Sequence, residues 1–276
     1  MPFTLYNPNL NKLFYPKGLV PLDFTFSSIG KNRLTSERDG KPGLVDFGFD
    51  YREREIVLTF TLEHYAGAFD NHLLTSEIYG FFDAYEYYYL VDDNVPTRMI
   101  KIAIDEAYTP ERYGYWYGKL EIKATVLGHQ FFMSTYTTQE IEQYGYTAIV
   151  EKFGLADGIN IELPNYSFKS DTFSVWNGGN TWIDYRNMDL KITVNNLKTN
   201  GNFQIQNLIT KDIFIYNEKI DGKDLVLNGP LIYVEDNNIL RNTNRQFIRL
   251  GPKKNDFKIL NGIYDSIDFD FRYHFK

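Results

Sequence analysis

Apolar and polar residues alternate through much of this chain, and the period of the alternation identifies the elements. The clearest run is the last: Ile267, Phe269, Phe271, Tyr273 and Phe275 fall on one side, and Asp268, Asp270, Arg272 and His274 on the other. Strand side chains alternate between faces, so this segment reads as a strand with one buried and one wet side. Ile56, Leu58, Phe60 and Leu62 repeat the pattern, as do Leu120, Ile122, Ala124 and Val126 opposite Lys119, Glu121, Lys123 and Thr125. Tyr87–Val91 and Arg98–Asp105, where Ile100, Ile102 and Ile104 share a face, give two further strands. Between the Ile56–Leu62 strand and these two lies a helical stripe of Phe69, Leu73, Leu74, Ile78, Phe81, Phe82 and Tyr85, with Asp70 as its expected N-cap and Gly80 as a blemish.

Asparagine divides the chain in two. Residues 165–276 hold 17 of the 24 Asn residues, placed between short alternating runs. Asn tolerates the left-handed backbone of tight turns and disfavours helix. Asn177-Gly178-Gly179, Asn195-Asn196, Asn200-Gly201, Asp221-Gly222, Asn228-Gly229-Pro230, Asn237-Asn238 and Asn261-Gly262 therefore read as turn tips, at the spacing of a β-sandwich. Asp39-Gly40-Lys41-Pro42-Gly43 is an exposed turn in the first half. Thr137–Asn165 has weak periodicity and carries Gly145, Gly154, Asp157-Gly158 and Pro164, which places the junction there. The expected fold class is mainly β: an amino-terminal β-domain with one helix over 1–145, a linker over 146–164, and a carboxy-terminal β-sandwich over 165–276.

With 276 residues, 43% hydrophobic, the chain can bury one large core or two ordinary ones. Its 22 Tyr and 22 Phe suit pleated, half-buried surfaces and large contact areas. There is no Cys, which excludes disulfides, thiolate nucleophiles and Cys-based metal sites. The start, Met1-Pro2-Phe3-Thr4, lacks the basic and apolar regions of a signal peptide, and the expectation is a soluble protein made in the cytoplasm. The net charge of −7 is uneven: residues 1–164 carry 14 Lys+Arg against 23 Asp+Glu, and residues 165–276 carry 15 against 13. No basic stripe is available to neutralise phosphates, so direct nucleic-acid binding is disfavoured.

The motifs that carry chemistry are missing. There is no G-x-S-x-G, P-loop, G-x-G-x-x-G, H-E-x-x-H or EF-hand loop, and no enzyme activity or cofactor is expected. His64 and His72, with Glu63 or Asp70, could be read as a metal site, but they straddle a strand end and a helix and read more simply as surface imidazoles. Asp92-Asp93 precedes Asn94 as a turn does, and Asp268 and Asp270 occupy the wet face of a strand. Tyr113-Gly114-Tyr115-Trp116-Tyr117-Gly118 could stack sugars or bases, and reads better as a packing or subunit contact. Trp176 and Trp182 flank Asn177-Gly178-Gly179-Asn180 and invite the same choice between a glycan platform and packing.

The succession of pieces is recognisable. Asp39-Gly40, Arg54-Glu55-Ile56-Val57-Leu58-Thr59-Phe60, Ile78-Tyr79-Gly80-Phe81-Phe82, Tyr87-Tyr88-Tyr89-Leu90-Val91-Asp92-Asp93 and Gly118-Lys119-Leu120-Glu121-Ile122 occur in the first half. Phe173-Ser174-Val175-Trp176-Asn177-Gly178-Gly179-Asn180-Thr181, Asp184-Tyr185-Arg186-Asn187, Leu190-Lys191-Ile192, Arg241-Asn242-Thr243-Asn244, Phe247-Ile248-Arg249-Leu250, Asn255-Asp256-Phe257 and Ile267–Tyr273 follow in the second. In this order the sequence resembles the distal tail protein family of long, non-contractile-tailed bacteriophages, the hub protein of the tail tip. The resemblance implies that the first domain closes into a homohexameric ring, with the candidate subunit-contact patch at Tyr113, Tyr115, Trp116 and Tyr117. It implies a galectin-like sandwich outside the ring, in shape only, since the His-Asn-Arg and Trp-Glu-Arg sets of sugar-binding galectins are missing. The late turn Gly251-Pro252-Lys253-Lys254 departs from the family's usual Pro-Gly. The implied partners are the tail tube protein, a tail-associated lysin or fibre protein and a receptor-binding protein. No membrane is involved, and DNA passes through the ring without being specifically bound. The implied location is the virion tail tip, after assembly in the host cytoplasm. The alternative is a carbohydrate-binding adhesin that meets host cell-wall glycans through Trp176, Trp182 or the Tyr113–Tyr117 cluster.

Overall fold

A computed structural model describes residues 2–37, 39–40, 42–64 and 68–276. Lys41, in the expected turn at 39–43, lies outside the described residues. The chain divides into two compact units, residues 1–130 and 131–276.

The first unit is an antiparallel sheet with a helix and a separate two-stranded ribbon. Its strands are β1 (Phe3–Tyr6), β2 (Leu19–Phe26), β3 (Lys31–Glu37), β4 (Leu44–Tyr51), β5 (Glu55–Glu63), β6 (Tyr88–Asp92), β7 (Arg98–Ala103), β8 (Glu111–Arg112) and β9 (Tyr117–Val126), with α1 (Ala68–Phe82) after β5. The order across the sheet is β1-β6-β7-β9-β5-β2, and β8 pairs with β9. β5 is central, and pairs residue for residue with β9 from Glu55↔Thr125 to Glu63↔Tyr117. Its alternation is as read: Ile56, Leu58, Phe60 and Leu62 are buried, and the residues between them are not. Phe60 meets Phe3 and Phe82 edge-on at 5.1 and 5.6 Å between ring centroids, which ties β1 and α1 to the central strand. The helix buries Leu74, Ile78 and Phe82. Asp70 lies within its first turn rather than capping it, because the helix begins at Ala68.

β3 and β4 stand apart. They pair only with each other and extend the β2–β5 pair beyond the sheet. Ser27 N–H donates to Glu55 O at 2.9 Å and Arg52 N–H to Gly30 O at 2.8 Å, so one ribbon runs without a break from the sheet to its tip. Every residue of β3 is exposed. The sequence reading placed neither strand, although Val45, Phe47, Phe49 and Tyr51 of β4 alternate with Asp46, Gly48 and Asp50; β3 has no such pattern.

The second unit contains a helix where the sequence suggested a linker. α2 (Thr138–Phe153) overlaps the segment 146–164 expected to be unstructured, and gives the described residues two α-helices in place of one. A capping box opens it: Thr137 Oγ1 accepts from Glu140 N–H, and the Glu140 carboxylate accepts from Thr137 N–H. Gly154, left-handed at φ 72°, closes it, and Gly145 at φ 76° kinks it.

Two sheets make up the rest. The larger is β11 (Ser167–Phe168), β20 (Ser266–Phe271), β13 (Leu190–Thr199), β16 (Ile220–Asn228), β17 (Leu231–Val234) and β18 (Asn237–Asn238), in that order. The smaller is β12 (Thr172–Asn177), β19 (Lys253–Leu260), β14 (Phe203–Asn207) and β15 (Ile213–Tyr216). β10 (Phe132–Ser134) pairs with β21 (His274–Phe275). The sheets meet through aromatics: Phe269 of the larger lies 4.9 Å from Phe257 and 5.8 Å from Phe173 of the smaller, centroid to centroid.

Several expected turns are turns, among them Asn200-Gly201 between β13 and β14 and Asn228-Gly229-Pro230 between β16 and β17. Asn195-Asn196 and Asp221-Gly222 are not. They lie inside β13 and β16 facing one another, where the register shifts between Val194 and Leu197, and Asn196 and Gly222 take φ of 51° and 68°. The left-handed residues serve a β-bulge there. The single last strand expected through Phe275 is broken at Arg272-Tyr273 into β20 and β21; Ile267, Phe269, Phe271, Tyr273 and Phe275 are buried as expected, but His274 is buried too and Asp270 is half-covered. The cover is at α2: Thr138 Oγ1 donates to Phe269 O at 2.8 Å and accepts from Phe271 N–H at 3.0 Å, one residue to either side of Asp270.

Candidate functional site

The aromatic cluster sits on the β8–β9 hairpin. Glu111 pairs with Lys119 and Arg112 with Gly118, and the loop closes where the N–H groups of Tyr113 and Gly114 both donate to Tyr117 O at 3.2 and 3.1 Å. Gly118 is required, because a Cβ there would stand 2.4 Å from Glu111 O. The hairpin is stiffened by polar contacts: Tyr113 Oη donates to Glu111 at 2.7 Å, and Arg112 Nε to Gly114 O at 2.8 Å. The hydrogen bond to Glu111 raises the Tyr113 hydroxyl above its ordinary pKa. Trp116 lies edge-on to Tyr115 at 4.7 Å. Tyr113, Tyr115, Trp116 and Tyr117 are each 55–58% exposed, so the four candidates are brought together, and on the surface. A rigid hairpin presenting four half-exposed aromatic rings can bind by large contact area at low entropic loss. On the hairpin's polar side Glu111, Tyr113, Lys119 and Glu121 line a small cavity and are tied to one another, Tyr113 to Glu111 and Lys119 to Glu121.

The other candidates disperse. His64 is buried at the end of β5, with neither ring nitrogen hydrogen-bonded among the described residues, while His72 is exposed on α1. Among the described residues no group of His, Asp and Glu is placed to hold a metal ion. Asp92 accepts from the backbone and side chain of Asn94, as a turn residue does, and Asp93 accepts from Thr4 at 2.7 Å. Asp268 bonds Ser167 and Asn195 within the sheet. Trp176 is half-buried and donates through Nε1 to Gly158 O at 2.7 Å, which makes it a packing residue rather than a sugar platform; Trp182 is half-exposed.

Sequence reasoning missed the root of the ribbon. Arg54 is buried there, its Nε donating to Ser27 O at 2.7 Å and its Nη1 to Gln130 O at 3.2 Å, with the guanidinium 5.0 Å over Phe26. Burial lowers its pKa. No local motif announces such a residue; an Arg before an alternating run reads as an ordinary flank.

Two comparisons find similar proteins. Residues 15–126 match the family described as phage tail protein RIFT-related domain, which spans most of the first unit. The chain is also similar in fold to Dit (gp 19.1) of phage SPP1, described as a paradigm of the hub adsorption apparatus in phages that infect Gram-positive bacteria. The TM-score is 0.68 at 12% identity, over 98% of this chain and 99% of that one. Chains of the phage p2 baseplate in its activated conformation follow with Sr (TM-score 0.48, 8% identity, 98% and 97% covered) and with Ca (0.46, 9%, 99% and 97%). No curated protein matches the sequence. The tail-domain match and the fold shared with SPP1 Dit bear out the resemblance to the distal tail protein family.

Proposed function

We propose that this protein is a structural hub of a phage tail tip, a ring that joins the tail tube to the receptor-binding apparatus. The observation that carries the reading is the fold shared with SPP1 Dit over nearly the full length of both chains, supported by the tail-domain match at 15–126. The first unit forms the ring, and six copies close it through heterologous contacts, one face of a subunit against a different face of the next. The exposed hairpin aromatics Tyr113, Tyr115, Trp116 and Tyr117 belong to those contacts. The second unit, galectin-like in shape, faces outward and supports a receptor-binding protein, while the tube protein and a tail-associated lysin or fibre protein stack on the ring. The assembly is made in the host cytoplasm and ends at the virion tail tip. The surplus of 23 acidic over 14 basic residues in 1–164 suits a channel wall that lets DNA pass without holding it.

The test is mass in solution. Six copies of a 32.4 kDa chain weigh about 194 kDa, and light scattering with negative-stain microscopy should find that species as a six-fold ring. A chain that remains monomeric at tens of micromolar, and that binds cell-wall glycan in a screen, would replace the hub by an adhesin.

A further inference from the structure

Several rings of this chain are covered by a cation from the same chain: Lys101 Nζ stands 3.7 Å over Tyr87 and Lys31 Nζ 4.5 Å over Phe49, measured to the ring centroids. Tyr79 and Tyr108 are different. They meet edge-on, 5.6 Å apart with 61° between the ring planes, and among the described residues no cation stands over either. With Gly80, Asp83 and Ala107 they line an open notch of about 400 Å³ where α1 ends against the segment after β7. That is the size of a small-molecule site.

Three features make the notch electronegative. The faces of its aromatic rings carry the negative part of the ring quadrupole. Asp83 stands one helical turn beyond Tyr79, its N–H donating to Tyr79 O at 3.0 Å, and its carboxylate meets no cation among the described residues. The notch also lies at the carboxy-terminal end of α1, where the helix dipole favours a cation, yet the last turn has no basic residue. The neighbouring chain cannot supply one, since residues 55–97 hold eight Asp+Glu and no Lys or Arg. Burial pushes the Tyr108 hydroxyl up to about 12, with Tyr79, Tyr88 and Asp83 adding to the rise, so the phenol stays neutral.

Gly80 gives the notch its room. A Cβ there would meet nothing within 4 Å, so no clash demands glycine, and glycine inside a helix is unfavourable relative to alanine. A larger residue would put its side chain into the space that the two rings and the carboxylate border.

We propose that this notch binds an alkylammonium group, seated against Tyr79 and Tyr108, neutralised by Asp83 and admitted by Gly80. An ammonium dressed in methyl or methylene groups suits it better than a metal ion, because the notch offers aromatic carbon and one carboxylate where a metal takes several oxygen ligands. The site lies within one copy and is independent of the ring reading.

Saturation-transfer NMR on the full-length chain tests it, with tetramethylammonium chloride as the probe and tert-butanol as a neutral molecule of similar shape. Transfer to tetramethylammonium well above that to tert-butanol is expected. Tyr79→Ala should weaken binding by about two- to fivefold, the worth of one exposed cation–π contact. Asp83→Asn should weaken it as well, and Gly80→Leu should abolish it, each at the thermal midpoint of the wild type. Competition by Nα-acetyl-lysine N-methylamide would assign the site to a lysine side chain of a protein, and failure to compete to a quaternary ammonium. Equal transfer to the charged and neutral probes, or transfer to tetramethylammonium that survives both Gly80→Leu and Asp83→Asn, would overturn the proposal.

Discussion

Phe269→Ala tests the core of the second unit. The side chain is fully buried and its ring lies 4.9, 5.8 and 6.3 Å from Phe257, Phe173 and Phe168. Phe257 and Phe173 belong to the opposing sheet, so this one residue holds both layers. Truncation to Ala removes roughly 130 Å² of buried apolar surface, about 3 kcal/mol at some 25 cal/mol per Å². The void adds up to about 2 kcal/mol if the neighbours stay in place, and less as they relax, giving an expected loss of about 3–5 kcal/mol. Urea unfolding followed by Trp176 fluorescence, in a Trp116→Phe/Trp182→Phe background, measures it. Phe14→Ala, at an exposed position of the first unit, is the control and should change stability by less than about 0.5 kcal/mol. A loss at Phe269 below about 1 kcal/mol would mean that the two sheets do not share a core there.

Asp270 makes a pH-dependent case. Burial raises its carboxyl pKa, against the opposing pull of Thr137, Arg272, Lys191 and the Gln139 backbone, and Oδ1 is buried without a hydrogen-bond partner among the described residues. An acid whose pKa is raised on folding destabilises the fold once it ionises, above the folded pKa, and carries no penalty below the unfolded value. Asp270→Asn should therefore compare more favourably with the wild type at pH 7 than at pH 3.5 in urea titrations; the reverse order would refute the burial argument. Thr137→Ala removes the hydroxyl of the capping box that opens α2 and should lower stability by about 1 kcal/mol, read as a fall in thermal midpoint, with Thr137→Ser retaining most of it. Trp116→Ala with Tyr117→Ala should leave the stability of the dissociated chain within about 0.5 kcal/mol while shifting light scattering toward smaller species, and unchanged assembly would remove this hairpin from the contact surface.

What the sequence disclosed was what has one wet and one dry side. β5 and β9 were legible because their pleat separates core from solvent, and Asn-Gly turns because the left-handed backbone selects few residues. The same selectivity misled at Asn195-Asn196 and Asp221-Gly222, since a bulge asks for the same backbone as a turn. α2 was hidden by Gly145, which breaks its period, although Thr137-Thr138-Gln139-Glu140 spells a capping box that a stricter reading would have weighed. His274 was assigned to water on alternation alone, and burial at that position depends on tertiary packing that no local pattern records. The aromatic hairpin was found by composition, whereas Phe69 and Leu73, read as part of the apolar stripe of α1, are exposed, because a stripe read from spacing is wider than the face that packs.

The unbroken ribbon has a mechanical meaning. β2 and β5 run from its base into the sheet, and β5 is flanked on both sides, by β2 and by β9, through antiparallel ladders. A pull along the ribbon axis acts parallel to those strands. It therefore loads the hydrogen bonds of two ladders together in shear, instead of peeling them one at a time from an end. Traction at the tip is delivered to β5, which is paired on both sides, with buried Arg54 at the point of entry. An arm rooted in this way can bear tension between neighbouring parts of an assembly, where a loop of equal length would only stretch.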